Sequence, residues 1–499
     1  MRVLWPAALA AWGAAVCAET YTEDLLIAPL ADGRALLHFD FEMQTDNGST
    51  HSYHVFPRQI GEIAQRYGVE QLQLTFTQGV WREARWGAAP GPHGAGAEVA
   101  ARLADDSQWA GMANALAGVF CASLNAAGNA SAAAPQAMGG VRLAHLAGEN
   151  VCTENLTPWI KQLPCQAQSG LGALLNPHRL FDMQFLSMGA ALDSDGAALR
   201  YRQRLSVVVD VGRWSLQALA GRGLPPACPA ASRSSIRAVV PPDAQVVPPA
   251  DTVRGSDDGT THTYDLLGRG RIDDIEIVLG AGRAGVRAAP AVAAHRFVTG
   301  HGGSSGGIES AIENRRDSPV TVTYYDVLPW YLRVYTHTLR IRSTHADGRS
   351  EPLVPLRTRI VPAVDRGRSA ELELELELPP RSRTLVRYDF DKGFLKYSEH
   401  PPDANRGFNV APAIVVYELA ADDRARPLGC KAGEPCAVRV YTEPALASLP
   451  TPDFSMPYNV ITFTCTILAL FFGRIFNLLT RDFAVLTEPA KTDQDGSAK

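Results

Sequence analysis

Hydrophobic and polar positions change rhythm along this chain, and the rhythm predicts the elements. Glu371–Leu378 reads ELELELEL, a strict period of two. As a strand it puts leucines inward and glutamates in water; as a helix it would put leucine on every side. Leu36–Met43 and Asp274–Leu279 alternate in the same way. Leu72–Phe76, Ser382–Asp389 and Val410–Leu419 also read as strands, and Val320–Arg342 holds two strands around Pro329 and Trp330. Arg204–Val211 is apolar enough for a buried strand. Helical spacing belongs to the first third of the chain. Ile60, Ile63, Ala64 and Tyr67 share one face of Pro57–Tyr67. Val99, Leu103, Trp109, Met112, Leu116, Phe120 and Leu124 recur along Ala97–Asn125, which predicts one or two helices.

Between these stretches, Gly87–Gly96 is a glycine- and proline-rich loop. Ala230–Thr261, rich in Pro, Ser and Asp, reads as a loop with edge strands. Gly300–Gly307 is glycine-rich but fits neither a phosphate-binding pattern nor G-x-S-x-G, and reads as a loop. The predicted fold is therefore mainly β, of the α+β class. An N-terminal α/β portion covers 19–175, and a mainly β, sandwich-like region covers 176–459.

The two ends differ from the rest. Arg2, the apolar run Val3–Val16 and the small residues of Val16-Cys17-Ala18 form a secretory signal over 1–18. The apolar run is short for a retained anchor. Val460–Leu479 is the spanning candidate, since twenty helical residues rise about 30 Å. Its first fourteen residues carry no charge, and Arg474 lies where it can snorkel to the interface. Tyr441–Asn459 has no Lys or Arg, whereas Arg474 and Arg481 follow. The positive-inside rule then puts 480–499 in the cytoplasm and the bulk of a type I protein on the other side. A cleaved glycolipid-attachment signal fits poorly, because a charged tail follows the apolar stretch.

Composition narrows the function. With 46% hydrophobic and 20% charged residues among 499, the chain has material for packed cores. A net charge of -5 leaves no basic footprint for nucleic acid. A mean hydropathy of -0.07 is too low for a polytopic membrane protein. Outside the signal and the span, six cysteines remain: Cys121, Cys152, Cys165, Cys228, Cys430 and Cys436. An oxidising compartment allows them to pair, and Cys430 and Cys436 are close enough for a local clip. Sequons at Asn47, Asn129 and Asn155 agree with lumenal exposure, although Pro158 follows the last of them.

Little chemistry emerges from the residues themselves. Cys152 with a histidine would make a thiol nucleophile, but no caspase-type or papain-type signature surrounds it, and a cystine is the plainer reading. His51 and His54 are too few for a metal site, and no cofactor is implied. Asp24, Asp40 and the Glu371–Glu377 row read as solvated faces. Leu449–Asn459 (LPTPDFSMPYN) is more informative. Pro450, Pro452 and Pro457 bar a continuous helix and hold Asp453, Ser455 and Asn459 near the bilayer, with Phe454 and Tyr458 as interfacial anchors. This is either a rigid stalk or a polar site for a lipid headgroup, and the residues alone favour the stalk.

Several collinear stretches carry a resemblance. They are Leu74–Trp81 (LTFTQGVW), Val119–Leu124 (VFCASL), Val151–Trp159 (VCTENLTPW), Leu163–Cys165 (LPC), Val327–Thr338 (VLPWYLRVYTHT), Val440–Pro444 (VYTEP) and Leu449–Val460. Together they resemble the PIG-T subunit family of the GPI transamidase over nearly the whole mature chain. The resemblance implies a non-catalytic membrane subunit of the endoplasmic reticulum. The complex cleaves a C-terminal signal and joins the new carboxyl group to the ethanolamine of a GPI lipid. The thiol chemistry belongs to a separate caspase-like catalytic subunit, which this chain stabilises while it helps present the lipid. The family motif carries an interchain disulfide onto Cys152, with an intrachain bridge as the alternative. Of the remaining cysteines, Cys165 is then expected to pair with Cys228, leaving Cys121 buried on its helix. The resemblance also places the GPI headgroup against Asp453, Ser455 and Asn459, and a shorter match in PPDANRGF adds Asn405. This raises the lipid-site reading above the stalk. A surface adhesion or receptor ectodomain would explain the signal, sequons and anchor but not the collinear motifs. A lumenal thiol hydrolase using Cys152 is the further rival.

Overall fold

The computed structural model describes residues 19–46, 53–128, 132–196, 198–256, 259–268, 272–279, 289–300, 303–401, 403–419, 436–453, 455–482, 484 and 486. The expected signal over 1–18, the sequons at Asn47 and Asn129, and Cys430 lie outside them. The chain forms two compact units. Residues up to Phe394, with Gly407–Leu449, make the first; Leu395–Arg406 and the residues from Pro450 onward make the second.

The first unit opens with a hairpin, Thr20–Pro29 against Arg34–Asp46. Gly33, at φ 78°, lets the chain turn back. The hairpin sits inside a ten-stranded sheet, whose strands run in the order 252–256, 259–265, 233–240, 20–29, 34–46, 198–210, 185–194, 69–79, 96–103 and 142–146. All neighbours are antiparallel except Thr20–Pro29 with Arg233–Val240. The helix Arg58–Tyr67 buries Ile60, Ile63 and Ala64 and ends where Gly68 turns left-handed. With Trp109–Phe120 and Thr153–Lys161 it shares one core with Phe39, Phe41, Leu74, Val99 and Leu205. Cys165 and Cys228 form a disulfide with Cα atoms 5.9 Å apart. Beside it, the buried Glu23 accepts from Leu171 N (3.1 Å) and Ser234 Oγ (2.6 Å). Gly170, at φ 67°, passes so close that a Cβ would meet Glu23 Oε2 at 2.6 Å.

Besides two short two-stranded ladders, 245–247 with 276–278 and 408–410 with 445–447, the rest of the first unit is a sandwich of two five-stranded sheets. One runs in the order 292–299, 305–314, 382–392, 332–345 and 350–352; the other in the order 357–361, 370–378, 320–328, 414–419 and 436–441. A buried ion pair ties the two sheets together. Arg296 Nη1 lies 2.9 Å from Asp326 Oδ1, and both side chains are fully excluded from solvent. Asp326 Oδ2 also accepts from Tyr324 (2.9 Å) and Tyr388, while Arg296 donates to the carbonyls of Val410 and Ala411.

The structure corrects several expectations. Ala97–Asn125 is not all helix: Gly96–Leu103 is a strand, and the helix is Trp109–Phe120. That strand is buried on both faces, so it lacks the alternation that marks a half-buried one. Arg233–Val240 is an interior strand rather than a loop edge, and Ser305–Asn314 draws the end of the glycine-rich run into a strand. The first sheet crosses the expected boundary at 175, because strands up to 265 complete it. In the ELELELEL strand the leucines do point inward, but Glu371 and Glu373 are buried as well. Glu373 accepts from Gln136 N (3.1 Å) and Ala137 N (2.9 Å), and Arg359 Nη1 lies 3.0 Å from Glu371. The N-terminal part thus covers Glu373, which the sequence assigned to water.

Removing one partner of a buried ion pair leaves the other charge uncompensated, at a cost of about 3–5 kcal/mol. Arg296→Met should therefore lower the thermal midpoint of the full chain in detergent by several degrees. An unchanged midpoint would mean that the pair does not hold the sheets. Glu83 gives a pH prediction. It shares a cleft with His295, Arg315 and Glu443, and burial pushes its carboxyl up to about 7 against the pull of Arg315 and His295. A carboxyl raised in the folded state favours folding while protonated, and that contribution is lost as pH rises through about 7. Glu83→Gln should flatten the decline of the thermal midpoint between about pH 5 and pH 8. A decline as steep as in the parent would contradict this.

Candidate functional site

Two places combine chemistry with access: the thiol of Cys152, and the segment that leads into the apolar helix.

Cys152 is the N-cap of the helix Thr153–Lys161 and is a free, half-buried thiol. Its position is set by Asn155, three residues later. Asn155 Oδ1 accepts from the Cys152 backbone N (3.0 Å) and lies 3.5 Å from Sγ. Asn155 Nδ2 donates to the carbonyls of Phe120 (3.1 Å) and Cys121 (2.9 Å). Asn155 is therefore a strut between two helix ends, and its side chain is 1% exposed. Both hydrogens of the sequon's amide nitrogen are thus directed at main-chain carbonyls. The structure corrects Cys121. The helix stops at Phe120, Cys121 takes the left-handed conformation that ends it, and its thiol is free and exposed. Cys436 is disulfide-bonded.

The second unit holds the juxtamembrane residues. Its helix begins at Ser455, so Pro457 falls within the first turn, where a missing N–H breaks no intrahelical bond. The prolines thus bar a helix only as far as residue 453, not to 459 as the sequence suggested. Asp453 is exposed just before the helix. Asn459 is exposed, one turn into the helix that begins at Ser455. Asn405 is exposed on the single turn Ala404–Arg406, in the loop that clusters with this segment in the second unit. The structure therefore brings all four residues into one unit, and the phenols of Tyr397 and Tyr458 are hydrogen-bonded within it. The residues from Tyr458 to Thr480 are long and apolar enough to span a membrane, and none of that stretch is buried.

This arrangement offers a carboxylate for an amine, amides that both donate and accept, and the positive end of a sixteen-residue helix for a phosphate. Among the described residues no cluster of His, Cys, Asp or Glu could hold a metal ion. Two contributors were missed in the sequence. Tyr397 opens a single 3-10 turn, Tyr397–Glu399, too short for any periodicity to mark. Asn155 was hidden by its own sequon, although an Asn three residues after a helix start is a recognisable reciprocal cap.

Comparisons with known proteins agree with one another. The family model described as "Gpi16 subunit, GPI transamidase component" matches residues 6–213 and 212–499. The mouse GPI-anchor transamidase component PIGT is 34% identical, covering 95% of this chain and 92% of its own length. The human protein of the same name is also 34% identical, over 94% of this chain and 91% of its own. The GPI16 component of Saccharomyces cerevisiae is 27% identical over 94% of this chain and 90% of its own. With the model spanning nearly every residue and relatives aligned end to end, the chain belongs to the Gpi16/PIG-T family of GPI transamidase components.

Proposed function

We propose that this chain is the non-catalytic, lipid-presenting subunit of the GPI transamidase in the endoplasmic reticulum. Its relatives are components of that transamidase, so it works in a complex with other subunits. The apolar helix near the C-terminus is its membrane span, with residues 19–459 in the lumen and the tail in the cytoplasm. The observation that carries the lipid role is the grouping of Asn405, Asp453, Ser455 and Asn459 in one unit at the start of that span. A GPI headgroup is a run of hydroxyls, amines and phosphates. Asp453 would pair with an amine, the two asparagines would bond sugar hydroxyls, and the helix start would face a phosphate.

In this reading Cys152 is the covalent link to the caspase-like catalytic subunit. Its thiol is free and half-buried at the first turn of a helix, where a partner's cysteine could reach it. Its acceptor is an amide oxygen, which cannot take up the thiol proton as a catalytic base would. This supports a structural thiol over a hydrolytic one.

Two measurements test the proposal. Cys152→Ser should leave the chain folded and remove the reductant-sensitive band that joins it to the catalytic subunit on a non-reducing gel. A band that persists would return Cys152 to another role. Asp453→Ala with Asn459→Ala should lower GPI transfer at least about tenfold, as expected for losing a charge-assisted bond and a neutral one. Subunit co-purification should stay near the parent level. Equal loss of both would indicate a stalk.

A further inference from the structure

We propose that the segment from Lys392 to Tyr397 is a second contact of this chain with the bilayer, seated among the headgroups with Phe394 as its apolar anchor. The proposal rests on the membrane span and not on the lipid-presenting reading.

The strand Ser382–Lys392 ends here, and its last residues are held firmly. Gly393 N donates to Tyr331 O at 2.7 Å, and a Cβ on Gly393 would come within 3.3 Å of the Tyr331 backbone. From this fixed base Phe394 stands out with 76% of its surface exposed. Leu395, peptide-bonded to it, opens the second unit, and Lys396 and Tyr397 follow, both exposed. The Tyr397 phenol is hydrogen-bonded to that of Tyr458, the first residue of the span. An extended chain covers at most about 3.6 Å per residue, so Phe394 lies within about 11 Å of Tyr397 along the backbone.

An isolated exposed phenylalanine needs no explanation on a soluble surface. This one is three residues from a side chain bonded to the point where the span begins. The local sequence, KGFLKY, also combines what a membrane interface selects. Aromatic rings sit at headgroup level, and lysine stems lie along apolar surface while their ammonium groups reach phosphates. The chemistry that fits is a phospholipid interface rather than a protein groove, because Phe394 is only three residues from Tyr397, whose phenol is bonded to the first residue of the span. Such a contact would keep the loop bearing Asn405 at the height of the headgroups.

The test places p-benzoyl-phenylalanine at position 394 of the full chain. The chain is purified with its partner subunits into nanodiscs of phosphatidylcholine with a minor share of phosphatidylserine. The same probe at Val253, 57% exposed on an edge strand of the ten-stranded sheet, is the control. Irradiation should give phospholipid adducts on the peptide containing position 394, several-fold above those at 253. The same probe at Lys396 supplies the reading should the 394 variant fail to assemble, and it should also capture lipid. Adducts confined to other subunits, or lipid capture no greater than at 253, would overturn the proposal.

Discussion

The buried carboxylate of Glu98 is the joint on which the first unit depends. Glu98 stands on a strand of the ten-stranded sheet and is 1% exposed. Tyr441 donates to it at 2.9 Å, Arg439 Nη1 lies 3.4 Å away, and His145 Nδ1 lies 3.5 Å away. Tyr441 and Arg439 belong to the sandwich, so one negative charge binds the two halves. Burial opposes ionisation there, yet His145, Arg439 and Tyr441 together hold the carboxyl below its usual range. Tyr441 also packs in an apolar cluster with Ala100, Leu143, Tyr325 and Ile414, drawn from both halves. Burial makes the charge costly to separate from its partners. The strand Cys436–Tyr441 is also among the last elements of the first unit before the chain leaves at Leu449.

The same logic of polar struts in apolar surroundings recurs at Cys152. Its thiol sits on a backbone fixed by the Asn155 amide, which itself bridges to the end of another helix. For the proposed link between chains, such a fixed backbone gives the thiol a defined position. The juxtamembrane segment shows the opposite economy: Asp453 and Asn459 are exposed, as the proposed headgroup contacts require. In the proposed function the first unit is a rigid platform, and the second unit puts headgroup-binding residues where a lipid is already present.

Local pattern carried much of the fold. Glu371–Leu378 is a strand, Arg58–Tyr67 is a helix, and the apolar run near the C-terminus is a helix of spanning length, as periodicity requires. What was not legible depended on residues distant in sequence. Glu373 is buried where Gln136 and Ala137 donate to it, and Glu371 where Tyr325 and Arg359 meet it, and no local signal announces either. Gly96–Leu103 reads like a helix because both its faces are covered. Arg233–Val240 looks like a loop because its flanks are rich in proline and serine, yet it runs parallel to the first strand in the sheet interior. In the site, the family motifs pointed to Cys152 and to the juxtamembrane residues. Chemistry alone would have left Leu449–Asn459 as a stalk, since three prolines and a few polar groups do not distinguish support from recognition.

The central claim is that the lipid headgroup is held where Leu395–Arg406 meets the start of the span. The most direct measurement is photo-crosslinking of the purified complex with a GPI analogue whose glycan carries a photoreactive group. The crosslinked peptides would then be mapped by mass spectrometry. The account predicts crosslinks within 395–406 and 450–459 of this chain. Crosslinks that fall only on other subunits, or on the ten-stranded sheet, would contradict it.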